Sequence, residues 1–199
     1  MLHLDYYSAP GFDGCSLDDY NELFDELNSY DTLETLKITT DFINSIPSNV
    51  LKFKNLKTLI ADGSRFWDLT MEQVPTCVEV LDLTRQSNLS PECLRGMERL
   101  VNLKELRIDD VFNIIGGEEY YGKYYQKSRD EHDNEPVEHR IKRIPGLRII
   151  FETGILPIRR YSEIPRKKVE ENLRKNKFLS EVDFRLEKYD DGFVEIVIN

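Results

Sequence analysis

Two histidines and two aspartates in one polar stretch come closest to a metal-binding set in this sequence. Asp130, His132, Asp133 and His139 offer the oxygen and nitrogen donors that a divalent cation would need. Carboxylates in a polar loop are more often simply hydrated. The sequence therefore predicts that no metal is bound.

The cysteines offer a second route to chemistry. Cys77 and Cys93 have no neighbouring histidine that could take up the thiol proton, so nucleophilic catalysis lacks a base. Gly116 and Gly117 follow an apolar pair but lack the sequence context of a phosphate-binding loop. We therefore expect a protein that is not an enzyme and that uses no cofactor.

Composition indicates an ordered protein. The chain has 199 residues, of which 40% are apolar and 32% charged, and its formal net charge is −10. This apolar content can offset the entropy of ordering a core, and no apolar run approaches the roughly 20 residues that cross a bilayer. The cysteines, Cys15, Cys77 and Cys93, are scattered and odd in number, and no Lys or Arg precedes Lys37. We expect a soluble protein with an intracellular, cytoplasmic location, without a secretory leader or disulfide framework.

A repeated hexapeptide organises the chain. Its six copies, of which the last two are less regular, span Leu33 to Ile38, Leu56 to Ala61, Val78 to Leu83, Leu103 to Ile108, Ile144 to Ile149 and Leu179 to Phe184. The first four start 23, 22 and 25 residues apart. Alternate side chains of an extended segment share a face, so stacked copies predict a parallel sheet of about six strands. Its buried column is expected to contain Leu36, Leu59, Leu81, Leu106, Leu147 and Val182.

A second periodicity precedes the second hexapeptide. Pro47, Val50, Phe53 and Leu56 follow one another at steps of three, which favours a 3₁₀ or short helix that proline can begin. With the strand that follows, the run from Ile46 to Leu59 resembles the leucine-rich repeat family, in its short intracellular subclass. The resemblance implies an α/β solenoid with a curved parallel sheet, short outer helices and a concave binding surface.

The sequence departs from the family pattern at the turns. The family usually places Asn, or a substitute such as Cys, Ser or Thr, two residues before the next apolar position. This chain has Asp41, Ser64, Gln86 and Val111 there, and of these only Ser64 is one of the accepted residues. We expect looser turns than those of the consensus repeat.

The ends of a solenoid must be covered. Residues 1–32 are expected to form an N-terminal cap, in which Leu2 and Leu4 can add a strand and Ser16 precedes a helix. Residues 33–112 hold the regular repeats, and residues 140–199 hold the irregular repeats with a C-terminal helix and hairpin. The hairpin is predicted from Asp190-Asp191-Gly192 between alternating runs.

Residues 113–139 form a charged, Tyr-rich insertion. Its four tyrosines, Tyr120, Tyr121, Tyr124 and Tyr125, suit either a projecting recognition arm or a mobile surface insertion. Residues 140–177 that follow contain 12 bases and 4 acids. Such a basic zone could meet an acidic protein, the acidic N-terminal region of another copy, or nucleic acid. Nucleic acid is the least favoured, because the pI is about 4.9.

The side chains between the buried leucines are expected to face outward and to contact a protein partner. From the sheet these are Lys37, Thr39, Ile60, Asp62, Asp82, Thr84, Arg107, Asp109, Arg148 and Asp183. The sequence thus predicts a non-catalytic adaptor or scaffold that binds a protein on the concave sheet. A structural subunit of a larger assembly, self-associating through its acidic and basic ends, and a regulatory subunit that positions a separate enzyme remain the alternatives.

Overall fold

The spacing of the repeats places successive strands side by side. The computed structural model describes residues 1–6, 16–40, 43–61, 66, 68–85, 91–109, 144–152, 165–175, 179, 182–190 and 193–199. The strands are β1 Leu2–Tyr6, β2 Thr35–Thr40, β3 Thr58–Ile60, β4 Val80–Leu83, β5 Glu105–Asp109, β6 Arg148–Glu152, β7 Phe184–Asp190 and β8 Phe193–Ile198. The α-helices in the described part are α1 Leu17–Leu27 and α2 Arg166–Lys175.

All eight strands belong to one sheet, in the order β1-β2-β3-β4-β5-β6-β8-β7. The pairings from β1 to β6 are parallel, whereas β8 runs antiparallel to both β6 and β7. The predicted α/β class, the parallel sheet and the strand at Leu2 and Leu4 are confirmed.

The regular repeats are in register through their leucines. Leu36 pairs with Leu59, Leu59 with Leu81 and Leu81 with Leu106, and all four side chains are fully buried. Since one side chain in two points into the core, each repeat contributes one leucine to the same buried row. This part of the predicted buried column is confirmed.

Short 3₁₀ segments lie between the strands, at Ser48–Lys52, Met71–Gln73, Pro91–Leu94 and Met97–Arg99. Their backbone bonds join residues three apart, as in the bond from Phe53 N to Val50 O at 3.2 Å. Val50, Phe53 and Leu56 are buried. The step of three in the sequence is thus the burial pattern of a 3₁₀ segment.

The fifth hexapeptide is shifted by two residues from its predicted register. Leu106 pairs with Ile149, not Leu147, and Arg148 pairs with Glu105. The chain is still turning at Gly146, whose φ is +81°, so the strand begins only at Arg148. Leu147 is buried all the same, but it precedes the strand.

The prediction that the sixth hexapeptide adds a parallel strand is wrong. Val182 is buried but precedes β7, which begins at Phe184 and pairs antiparallel with β8. β8 is apolar at five of its six positions and takes the interior place in the sheet, whereas β7 carries Arg185, Glu187 and Lys188. Charged strands are suited to sheet edges, which explains the order. The predicted hairpin itself is confirmed.

The two helices lie where the sequence predicts. Ser16 caps α1 in a reciprocal pair with Asp19, and the hydrogen bond from the Ser16 backbone lowers the pKa of that carboxyl group. Tyr20 and Phe24 of α1 are buried. α2 buries Val169 and Leu173 against the same core.

Several predictions fall on residues outside the described part of the chain. These are the predictions for the tyrosines of the 113–139 insertion, for looser turns at Asp41, Ser64, Gln86 and Val111, and for the absence of a metal at the polar stretch around His132.

Candidate functional site

The sheet surface opposite the buried leucines carries two rows of side chains. We call this surface the exposed face. The first row follows the register Lys37, Ile60, Asp82, Arg107, Ile150, Glu195 and Lys188. The second row follows Thr35, Thr58, Val80, Glu105, Arg148, Val197 and Arg185.

Four predicted partner-binding residues are brought together in the first row. Lys37, Ile60, Asp82 and Arg107 are half-buried and occupy the same position of successive strands. Arg148 belongs to the second row because of the two-residue shift of β6. The sequence had placed it beside Arg107, and the structure places it beside Glu105.

The predicted contact residues that lie two positions after the first row along each strand are less accessible than the sequence predicts. Thr39 and Thr84 are buried. The Thr84 hydroxyl group donates to the Asp82 carboxylate at 2.8 Å, and its backbone N–H reaches the same oxygen at 3.1 Å. These threonines are therefore not exposed contact residues.

The remaining predicted contacts are scattered or undescribed. Asp183 is exposed but precedes β7. Lys188 occupies the position in the first row that the sequence predicts for Asp183. Asp109 ends β5 opposite Glu152. Asp62 and the four tyrosines, Tyr120, Tyr121, Tyr124 and Tyr125, lie outside the described residues.

A charged network crosses the exposed face from β5 to β7. Arg107 Nε lies 2.8 Å from Glu105 Oε1, and Arg148 Nη1 lies 2.8 Å from Glu105 Oε2. On its other side, Arg148 Nη2 lies 2.8 Å from Glu195 Oε1, and Lys188 Nζ lies 3.8 Å from Glu195 Oε2. We refer to these five residues as the charged network.

Burial within the charged network is uneven. The side chains of Glu105 and Glu195 are only 14% and 6% exposed, whereas those of Arg107 and Arg148 are 42% and 44% exposed. A buried carboxylate is costly unless cations and donors surround it. The two acids are therefore the buried members of the network, and the three bases are its more exposed members. With three bases and two acids, its formal charge is +1.

Two residues of this network, Arg107 and Arg148, are among the predicted contact residues. Glu105, Glu195 and Lys188 are not. One signal was available, since Glu195 is the single charged residue of the apolar run from Phe193 to Ile198. A lone acid inside such a strand needs a cationic partner, but the sequence alone does not say which.

Among the described residues there is no group of three or more His, Cys, Asp and Glu side chains placed to hold a metal ion. Cys93 is buried, and the Cys77 thiol donates to the Phe53 carbonyl oxygen at 3.3 Å. Within the same ranges, no helix combines the length and apolarity needed to span a membrane.

Comparison of the chain with protein-family models, with curated proteins and with solved structures finds no match.

Proposed function

We propose that this protein is a non-catalytic interaction module of the leucine-rich repeat type, and that it binds a protein partner on the exposed face. The observation that carries the proposal is the register of the regular repeats. It gives one row of buried leucines and, between them, a row of half-buried polar and apolar side chains: Lys37, Ile60, Asp82 and Arg107. Stacked repeats of this kind use their sheet as an extended binding surface.

The size of the exposed face suits a protein more than a small ligand. Seven strands from β2 to β7 contribute to its two rows. At about 4.8 Å between neighbouring strands, the rows extend about 29 Å. This length is compatible with a protein–protein contact of roughly 800 Å² on each partner, whereas small ligands favour enclosed apolar pockets.

Arg107 is the residue that we expect to contribute most. Arginine is enriched among the residues that dominate binding energy at protein interfaces. Its guanidinium group is held by Glu105, and its side chain is still 42% exposed. A side chain oriented before the partner arrives loses less entropy on binding. Ile60 and Val80, also half-buried, supply apolar area beside it.

Charge-reversal variants test this proposal. Lys37→Glu and Arg107→Glu should each weaken partner binding at least about tenfold, which corresponds to 1.4 kcal/mol. Lys175→Glu, on the exposed side of α2, makes the same charge change away from the face and is the control. Arg148→Glu is unsuitable, because it would place a third carboxylate between Glu105 and Glu195.

Residue-resolved cross-linking of the affinity-purified protein distinguishes the alternatives. Cross-links from Lys37 and Lys188 to one stoichiometric protein support the proposed adaptor. Cross-links joining the N-terminal region to α2 of another copy would favour a structural assembly subunit. Copurifying activity that depends on Lys37 and Arg107 would favour a regulatory subunit. Unchanged affinity in both reversal variants would reject the exposed face as the binding site.

A further inference from the structure

The two edges of the sheet differ in how they are protected. β7, at one edge, has an irregular register between Leu186 and Lys188. The Arg166 guanidinium group of α2 donates to the Leu186 carbonyl oxygen at 2.6 Å, and Arg185, Glu187 and Lys188 are exposed. A bulge and edge charges are devices by which proteins prevent another strand from pairing, and Arg166 already occupies one carbonyl oxygen of β7. The β7 edge is therefore closed.

β1, at the opposite edge, is regular. Its five residues pair one-to-one with β2 from Leu2 to Tyr6, without a register shift. Within the described part of the chain, no strand lies on its other side. In a parallel pair, alternate residues direct their N–H and C=O groups to the neighbouring strand, so the residues between them direct theirs outward. β1 thus presents a row of donors and acceptors of the kind that another strand can pair with.

The acidic charge of the N-terminal region, which contains β1, favours a basic partner segment over an acidic one. Residues 1–36 contain nine Asp and Glu residues and no Lys or Arg. Asp18, Glu22 and Glu26 of α1 are exposed. A second copy paired through β1 would bring two such acidic regions together, and like charges at close range oppose association. The β7 edge of another copy is closed, so the sheet cannot continue from molecule to molecule by that route.

We propose that the outer edge of β1 binds an extended, Lys- or Arg-rich segment of a partner protein by strand addition. Main-chain hydrogen bonds supply the pairing, and the acidic N-terminal region supplies the selection for basic side chains. This site is separate from the exposed face, so it can fail or succeed independently of the proposed function.

Three labelled peptides test the proposal with the full chain. The probe is Lys-Val-Lys-Val-Lys-Val-Lys. The first control replaces each Lys with Glu, and the second keeps the Lys but is N-methylated at each backbone amide. We expect the probe to bind, and each control to bind at least about tenfold more weakly, because the first control loses the charge attraction and the second loses the main-chain hydrogen bonds. Equal binding of the N-methylated peptide would reduce the interaction to charge attraction and overturn strand addition.

Amide hydrogen exchange locates the site. Alternate amides of residues 2–6 should exchange rapidly in the unliganded protein and become protected with the probe. Protection of these amides before the probe is added would show that the edge is already covered. Protection that increases with protein concentration would indicate a second copy, and protection that does not would indicate the chain itself. Protection confined to β7 would place binding at the wrong edge. Any of these results overturns the proposal.

Paired proline variants complete the test. Adjacent residues of β1 direct their N–H groups to opposite sides, so one of His3→Pro and Leu4→Pro removes an outward donor and the other a donor to β2. The variant that keeps the wild-type melting temperature should lose binding of the probe. Retained affinity in that stable variant would contradict pairing at β1.

Discussion

Arg148 and Glu195 join the parallel part of the sheet to the C-terminal hairpin. They lie 47 residues apart in sequence and on neighbouring strands, and both Nε and Nη2 of Arg148 reach Glu195 Oε1, at 2.9 and 2.8 Å. Its third nitrogen, Nη1, reaches Glu105 on β5. Arg148 thus connects β5, β6 and β8 across the point where strand direction reverses. These contacts give Arg148 a structural role beside the binding role that is predicted from its sequence position.

Removing this arginine should destabilise the fold. Arg148→Met leaves the Glu195 carboxylate, 6% exposed, without its main cation, so we expect a loss of roughly 2–3 kcal/mol in the free energy of unfolding. Urea denaturation measures it. The control is Arg185→Met, which removes an exposed pair with Glu187 and should cost less than about 1 kcal/mol. Equal losses in the two variants would contradict the structural role of Arg148.

Two glycines in the same backbone region should respond differently to alanine. Gly96 and Gly146 have φ values of +83° and +81°, so alanine is strained at both, by about 1 kcal/mol. At Gly96 the new Cβ would also lie 2.5 Å from Glu72 Cγ and 3.0 Å from its backbone nitrogen, whereas nothing lies within 4 Å at Gly146. Thermal or urea unfolding should therefore show Gly96→Ala to be the more destabilising by about 1–3 kcal/mol. A larger loss in Gly146→Ala would be inconsistent with this packing.

The carboxyl group of Asp25 should titrate at low pH. Hydrogen bonds from Lys52 and then Tyr30 lower its pKa. Because the folded-state pKa lies below the unfolded value of about 3.9, the ionised form stabilises the fold. This contribution is present above that value and is lost as the pH falls through the folded-state pKa. An NMR titration should show the lowered midpoint, and Lys52→Ala should raise it. A midpoint that Lys52→Ala leaves unchanged would exclude Lys52 as the main cause.

How far the sequence predicts the structure differs between the two halves of the sheet. In the regular repeats, a spacing of 22 to 25 residues repeats the same apolar positions, so the register of β2 to β5 follows from Leu36, Leu59, Leu81 and Leu106. This regular spacing ends with the fourth hexapeptide, which contains β5. In the fifth hexapeptide, Gly146 and Leu147 occupy positions that are strand in the regular copies, and the strand starts two residues late, at Arg148.

The charged network was less predictable than the fold. Periodicity identifies which residues share a face, and it correctly groups Lys37, Ile60, Asp82 and Arg107. It does not specify pairing partners that come from an antiparallel hairpin. Glu195 reaches Arg148 because β8, and not β7, is the neighbour of β6. That choice depends on which hairpin strand is the more apolar, a comparison between strands that no single repeat contains.

A pair of asparagines contributes part-buried hydrogen bonds to the attachment of α1 to the first repeat. Asn49 N donates to Asn21 Oδ1 at 2.8 Å, and Asn49 Nδ2 donates to the Asn21 carbonyl oxygen at 2.9 Å, both in part-buried surroundings. Asn49→Ala should cost roughly 1–2 kcal/mol, because the Asn21 carbonyl loses its donor where water replaces it poorly.

Asn55 provides the matched comparison. Its side-chain amide also donates to a carbonyl oxygen of the preceding segment, that of Asp31 at 2.6 Å, but in an exposed position where water can substitute. Asn55→Ala should therefore cost less than Asn49→Ala in urea unfolding, and only Asn49→Ala should accelerate amide exchange in α1. Faster exchange of α1 in both variants would show that the helix senses the whole repeat, not this contact. No change in either would mean that the buried faces of Tyr20 and Phe24 hold α1 without the asparagines.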